Sequence, residues 1–202
     1  MNIYLVRHGE TDWNVEKRIQ GQSDVSLNHN GLYQAMNSVK YFDQLKFDKV
    51  YTSSLSRAIQ TAEIITRGKY NLIKCPNLNE RHFGDWQKRL WSEVHEENPN
   101  LNKIWKKEGL LYKPKNGESL QELYVRSVKK FEDILQFDKS FKNILIVAHG
   151  GPLKAIIGSI KGTDPNDIHN GQGLSNCSIT KVIFENGKLN LAFENYLSRN
   201  SL

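Results

Sequence analysis

Leu5-Val6-Arg7-His8-Gly9 and Ile146-Val147-Ala148-His149-Gly150 decide the fold of this 202-residue chain. Each is an apolar run that breaks at His-Gly. Strands of a parallel sheet are covered on both faces, so they read as near-continuous apolar runs. A glycine directly after the strand lets the backbone turn sharply or approach a ligand closely. Ligands bind outside the carboxyl ends of strands in an open parallel sheet. If these two strands are neighbours, His8 and His149 meet at one edge, each followed by a glycine, Gly9 and Gly150.

A third junction matches. Lys49 to Thr52 reads as a short strand, and Ser53-Ser54-Leu55-Ser56-Arg57 opens a helix. Ser53 and Ser54 are expected as N-cap residues. Arg57 then falls in the first turn, where its guanidinium and the helix N-terminus suit an oxyanion. Arg7 brings a second guanidinium to the same edge.

Further out, Asn2 to Val6 forms the first strand, Thr11 to Asn30 reads as polar and irregular, and Asn30 to Leu45 has helical apolar spacing. Asn71 to Cys75 reads as a strand ended by Pro76. Ser119 and Glu122 form a capping box at the head of a long helix. Asn143 to Ala148 is a strand, and Pro152 lies in the first turn of a helix running to about Ile160. Ile179 to Phe184 and Leu189 to Phe193 flank Asn186-Gly187, a hairpin signal. Strands alternate with helices, which predicts an α/β sandwich with a mostly parallel central sheet. The stretch from about 84 to 116 differs in texture: it holds Trp86, Trp91 and Trp105 with Pro99 and Pro114. It reads as a helical cap inserted into one domain spanning 1–202. These tryptophans and Tyr112 either line a pocket or pack the cap.

Composition is that of an ordinary globular chain: 38% hydrophobic, 25% charged, with 28 basic and 22 acidic residues giving +6. A mild positive excess favours anionic partners. No run of five like charges and no basic stretch interleaved with aromatics is present, so no nucleic-acid partner is expected. The apolar runs are far shorter than the roughly 20 residues of a membrane span. Met1 to His8 does not read as a signal peptide, so no secretory leader is expected. Cys75 and Cys177 have neither C-x-x-C nor zinc spacing. Buried, reduced thiols and a cytoplasmic location are the expectation. The terminal hairpin offers a sheet edge for a homodimer, though nothing in the sequence demands one.

The histidines and arginines suggest a chemistry. Arginines clamp phosphate oxygens bidentately and offset charge on a transferring phosphoryl group. A neutral imidazole can attack phosphorus and form a phosphohistidine. Nearby cations hold its pKa down and keep it ready. The second histidine would hydrogen-bond the phosphoryl group. Glu80, in Glu80-Arg81-His82-Phe83-Gly84, is the best candidate acid for the leaving oxygen. Other chemistries find no support. There is no P-loop and no G-x-S-x-G elbow. Pro99 stands where a zinc helix beginning at His95 would need its second histidine. Gly171-Gln172-Gly173 lacks a third glycine and reads as a flexible loop.

In order, Leu5-Val6-Arg7-His8-Gly9-Glu10-Thr11, Arg18 to Asp24, Tyr51 to Ala62, Glu80 to Gly84, Gly117-Glu118-Ser119 and Ala148 to Gly151 resemble the blocks of the histidine phosphatase superfamily, also called phosphoglycerate-mutase-like. The resemblance runs through nearly the whole chain. It implies a three-layer α/β/α sandwich with a small cap, and catalysis without a metal. It places the phosphorylated histidine on His8, the phosphate pocket on Arg7, Arg57 and His149, and the proton donor on Glu80. Asn14, Gln20 and Gly21 match positions that touch the phosphoryl group or substrate. Arg81 and Gly150, in the matching blocks, join them as substrate-binding candidates. The cofactor-dependent mutases carry a longer insertion and usually Asn where this chain has Gly151, so the likeness favours the phosphatases. The expected activity is hydrolysis of small phosphorylated metabolites with no cofactor. The alternative is a phosphoglycerate mutase, for which 2,3-bisphosphoglycerate would serve as primer.

Overall fold

The computed structural model describes residues 1–137, 140–168 and 173–198. Its centre is a six-stranded sheet in the order β3-β2-β4-β1-β5-β6. The strands are β1 (Asn2–Arg7), β2 (Lys49–Thr52), β3 (Leu72–Lys74), β4 (Asn143–Ala148), β5 (Ile179–Glu185) and β6 (Lys188–Tyr196). The first four run parallel, and β5 pairs antiparallel with both β1 and β6.

Side chains alternate across a strand, and here both sets are apolar and buried. Ile3, Leu5, Ile144 and Ile146 face α6 (Leu120–Phe137) and α7 (Gly150–Lys161), meeting Phe131, Ile134, Leu153 and Ile156. Tyr4, Val6, Val50, Leu145 and Val147 face α2 (His29–Phe42) and α3 (Ser56–Thr66), meeting Phe42, Ala58, Ala62 and Ile65. The result is three layers, helices on both faces of the sheet, as expected from the uninterrupted apolar runs of β1 and β4.

Several local expectations are corrected. Thr11 to Asn30 is not wholly irregular: Thr11 caps a one-turn helix, α1 (Asp12–Val15), through a capping box with Asn14. The next helix begins at His29, capped by Asn28, and ends at Phe42. The third strand is shorter than 71–75. Ser53 and Ser54 do not cap α3; Leu55 occupies the N-cap without a side-chain bond. Asn79 draws both serines away, since its Oδ1 accepts from Ser53 Oγ at 2.7 Å and from Ser54 Oγ at 2.9 Å. The Ser119–Glu122 box forms as read. The hairpin turns through Asn186 and Gly187, with φ of 51° and 75°. Part of the glycine loop, Gly171 and Gln172, lies outside the described residues.

Between β3 and α6 the chain forms α4 (Trp91–Glu97), α5 (Leu101–Glu108) and single 3-10 turns. Its aromatics pack on one another. Trp86 stacks on Tyr112 at 5.8 Å and meets Trp105 edge-on at 6.3 Å. Together with Ile19, Val94 and Leu101 they form a cluster of their own. Cys75 and Cys177 are free and buried. Among the described residues no helix is long and apolar enough to cross a membrane.

Candidate active site

The register of β1 with β4 builds the site. Arg7 pairs with Ala148, so the next residue on each strand, His8 and His149, emerges at the same edge. The ring centroids are 5.0 Å apart, and both residues are buried. β2 lies on the other side of β4 and delivers Ser53 and then α3 with Arg57.

One hydrogen bond fixes the tautomer of His8. Its Nδ1 lies 2.6 Å from the Gly9 carbonyl. A carbonyl only accepts, so Nδ1 carries the hydrogen and Nε2 keeps its lone pair. Burial holds the His8 pKa well below its usual value, and the Arg57 and Arg7 guanidinium groups push it the same way. The sequence pointed to the cations; desolvation is the larger cause.

His149 is wired differently. Arg57 Nε donates to its Nδ1 at 3.2 Å. An arginine cannot accept, so the ring hydrogen sits on Nε2, 2.7 Å from Ser53 Oγ. Ser53 passes its own hydrogen to Asn79 Oδ1. Burial, then Arg57, His8 and Arg7, keep His149 neutral. Neither nitrogen of His149 has a free N–H in this arrangement.

Arg57 is fully buried, and its remaining donors reach the Ser23 carbonyl at 2.9 Å and the Gly21 carbonyl at 2.7 Å. Desolvation lowers its pKa to about 10, although Glu80 and Asp24 oppose this. Arg7 donates through Nη1 to the Leu174 carbonyl. Its Nε is buried with no partner among the described residues, a donor left for a ligand.

Glu80 lies on the segment after β3. Its carboxylate accepts from the Arg81 N–H at 2.8 Å and, through both oxygens, from the Gly151 N–H at 3.2 Å. Its carbonyl accepts from Gln22 and Arg126, each at 3.0 Å. Arg126 in turn pairs with Glu118 at 2.5 Å. The sequence does not show this clamp, nor Asn79, nor that Ser53 bonds to His149 instead of capping α3; all join residues far apart in the chain.

The remaining candidates fall around this centre. Gly21 positions Arg57, as noted. Gln20 has a buried Oε1 without a partner among the described residues. Asn14 uses its Oδ1 in the capping box with Thr11. It also lies 3.4 Å from Asn176 Nδ2, which donates to the His8 carbonyl at 2.9 Å. A Cβ at Gly150 would lie 3.8 Å from Glu80 Oε2 and 4.0 Å from Arg7 Nε, so Gly150 borders the space both groups face. Arg81 is placed apart: its guanidinium donates to the Glu118 and Tyr112 carbonyls at 2.7 and 2.9 Å, tying the end of the inserted stretch to the segment that carries Glu80. Among the described residues no cluster of His, Cys, Asp or Glu is arranged to hold a metal.

The arrangement brings an imidazole nitrogen with a free lone pair, the buried Arg57, the half-buried Arg7 and a carboxyl group to one edge of the sheet, a set suited to phosphoryl transfer. A family model for the histidine phosphatase superfamily (branch 1) matches residues 3–196. A metal-independent phosphoserine phosphatase of Arabidopsis thaliana is 38% identical over 158 residues, 76% of this chain and 66% of the relative. A probable phosphoglycerate mutase GpmB of Cronobacter sakazakii is 34% identical over 190 residues, 92% of this chain and 86% of the relative. The alpha-ribazole phosphatase of Shigella flexneri superposes with a TM-score of 0.88 at 27% identity, covering 97% of this chain and 96% of that one.

Proposed function

Since the chain belongs to the histidine phosphatase superfamily, branch 1, we propose that it hydrolyses small phosphorylated metabolites through a phosphohistidine on His8, without a metal. The observation that carries this reading is the fixed tautomer of His8: Nδ1 tied to Gly9, Nε2 unprotonated, with the buried Arg57 and the half-buried Arg7 beside it.

In the first step His8 Nε2 attacks phosphorus, a P–N bond forms and the P–O ester bond breaks. The leaving oxygen takes the bond's electron pair and a proton from Glu80. Arg7 Nε and the fork of Arg57 hold the phosphoryl oxygens and offset their charge. As Arg57 turns to them it releases His149 Nδ1, which takes the acidic proton that the ester monoanion brings and holds the same phosphoryl oxygen through that N–H. In the second step water attacks phosphorus, Glu80 accepts a proton from it, and the P–N bond returns its pair to His8. Asn14, Gln20, Gly21 and Gly150 line the approach to this point.

Phosphatase-named relatives, the short insertion at about 84–116 and Gly151 favour transfer to water over transfer to a second hydroxyl. The chain acts as one domain of 1–202 with that insertion as its cap, in the cytoplasm. Phosphorus NMR with 3-phosphoglycerate, a trace of 2,3-bisphosphoglycerate and excess EDTA tests the choice. Inorganic phosphate without 2-phosphoglycerate is expected. Build-up of 2-phosphoglycerate would instead assign a mutase.

A further inference from the structure

Gly151 stands in the first turn of α7 with helical geometry and is not among the residues with positive φ. Its backbone conformation would therefore accept any L-residue. Nothing in the backbone calls for glycine here; the space around the position does. A Cβ at this position would come within 2.2 Å of Glu80 Oε1, 3.3 Å of Glu80 Cδ and 3.0 Å of Leu123 Cδ2. The carboxylate of Glu80 occupies the volume that a side chain at 151 would take.

The seat is otherwise built from backbone. The N–H groups of Arg81 and Gly151 hold the carboxylate, while Gln22 and Arg126 hold the Glu80 carbonyl from behind. All the backbone donors would survive a substitution at 151; only the room would be lost. We propose that Gly151 is a positioning residue for the acid: its missing side chain lets the Glu80 carboxyl dock on the first turn of α7, facing Arg7 across Gly150. This rests on the reading of Glu80 as the proton donor to the leaving oxygen.

The test is kinetic and uses two esters. Glycerol 2-phosphate has an alkoxide leaving group that needs a proton, whereas 4-nitrophenolate leaves without one. The ratio kcat/KM covers the steps up to alcohol release. Gly151→Ala should lower kcat/KM for glycerol 2-phosphate by about 100-fold or more, the scale of general-acid catalysis. For 4-nitrophenyl phosphate the loss should stay within a few-fold, because the arginines and His8 are untouched. In a Glu80→Gln background the same change should cost almost nothing more, since residues acting as one unit are non-additive. Glu80→Asp, one methylene shorter, should relieve the collision and blunt the effect.

Equal losses on the two esters, an additive loss on top of Glu80→Gln, or no loss at all would overturn the proposal. If Gly151→Ala does not fold, Gly151→Ala in a Glu80→Ala background should, because the colliding carboxyl is gone. Failure of that double variant would place the cost on Leu123 and overturn the assignment. A Glu80→Gln enzyme that loses the same factor on both esters would remove Glu80 as the acid, which is a separate failure.

Discussion

Arg57 donates from Nε to Nδ1 of His149 across 3.2 Å, both side chains being buried. This one bond fixes two things. It ties the guanidinium of α3 to the end of β4, and it forces the ring hydrogen of His149 onto Nε2, toward Ser53. Lysine's ammonium has three rotatable donors but no planar fork, so it cannot hold His149 and the neighbouring carbonyls in these fixed directions at once. Arg57→Lys should therefore lower kcat/KM by about 10²–10³-fold, the usual cost of one oriented donor to a charged transition state. Steady-state assays with 4-nitrophenyl phosphate measure it directly; activity within a few-fold of wild type would contradict the role.

Ser53 joins His149 Nε2 to Asn79 Oδ1 through bonds of 2.7 Å each. Ser53→Ala removes the acceptor from a buried N–H. The expected loss is about 1–3 kcal/mol of stability, the cost of leaving such a group unsatisfied. Urea unfolding of the two proteins reads it. An unchanged midpoint would mean that His149 finds another partner.

The strand ends were legible because local pattern sufficed. Apolar runs on both faces identify β1 and β4 as buried parallel strands, and once they are neighbours His8 and His149 must meet. Arg57 followed from its distance into a helix. What stayed hidden depends on contacts distant in sequence. Ser53 looks like an N-cap locally, but Asn79 and His149 compete for its hydroxyl and prevail over the helix end. Arg81 looks like one more phosphate ligand, yet the cap's carbonyls take its donors. Gly151 showed only as a departure from a family pattern; its collision with Glu80 needs coordinates.

That placement of Arg81 gives a prediction of its own. Arg81→Met should destabilise the protein, since the Glu118 and Tyr112 carbonyls lose their donor. Inhibition by inorganic phosphate should stay within about two-fold, because the proposed oxyanion site is built on Arg7 and Arg57, not on Arg81. A thermal melt and an inhibition curve test the two halves. Loss of phosphate binding with an unchanged melting temperature would return Arg81 to the substrate pocket.

Both histidines are held neutral in the fold, with pKa values well below 6.5. The unfolded chain takes up protons at these rings below that value and the folded chain does not. Stability is therefore fully present above about pH 6.5 and falls as the pH drops, by at most about 1.4 kcal/mol per pH unit for each histidine. Urea titrations between pH 7.5 and 5 should show this slope, and His8→Gln should remove its own share. Identical slopes in the two proteins would contradict a neutral, buried His8.

The central claim is a covalent bond between His8 Nε2 and phosphorus. Phosphohistidine survives alkali and is lost in acid, so the direct measurement is to mix enzyme with a ³²P-labelled phosphate ester in excess EDTA, quench in alkali and map the label. The account predicts label on His8, absent from His8→Ala, with release of inorganic phosphate in the unquenched reaction. Label on another residue, or a folded His8→Ala protein that still turns over, would contradict it.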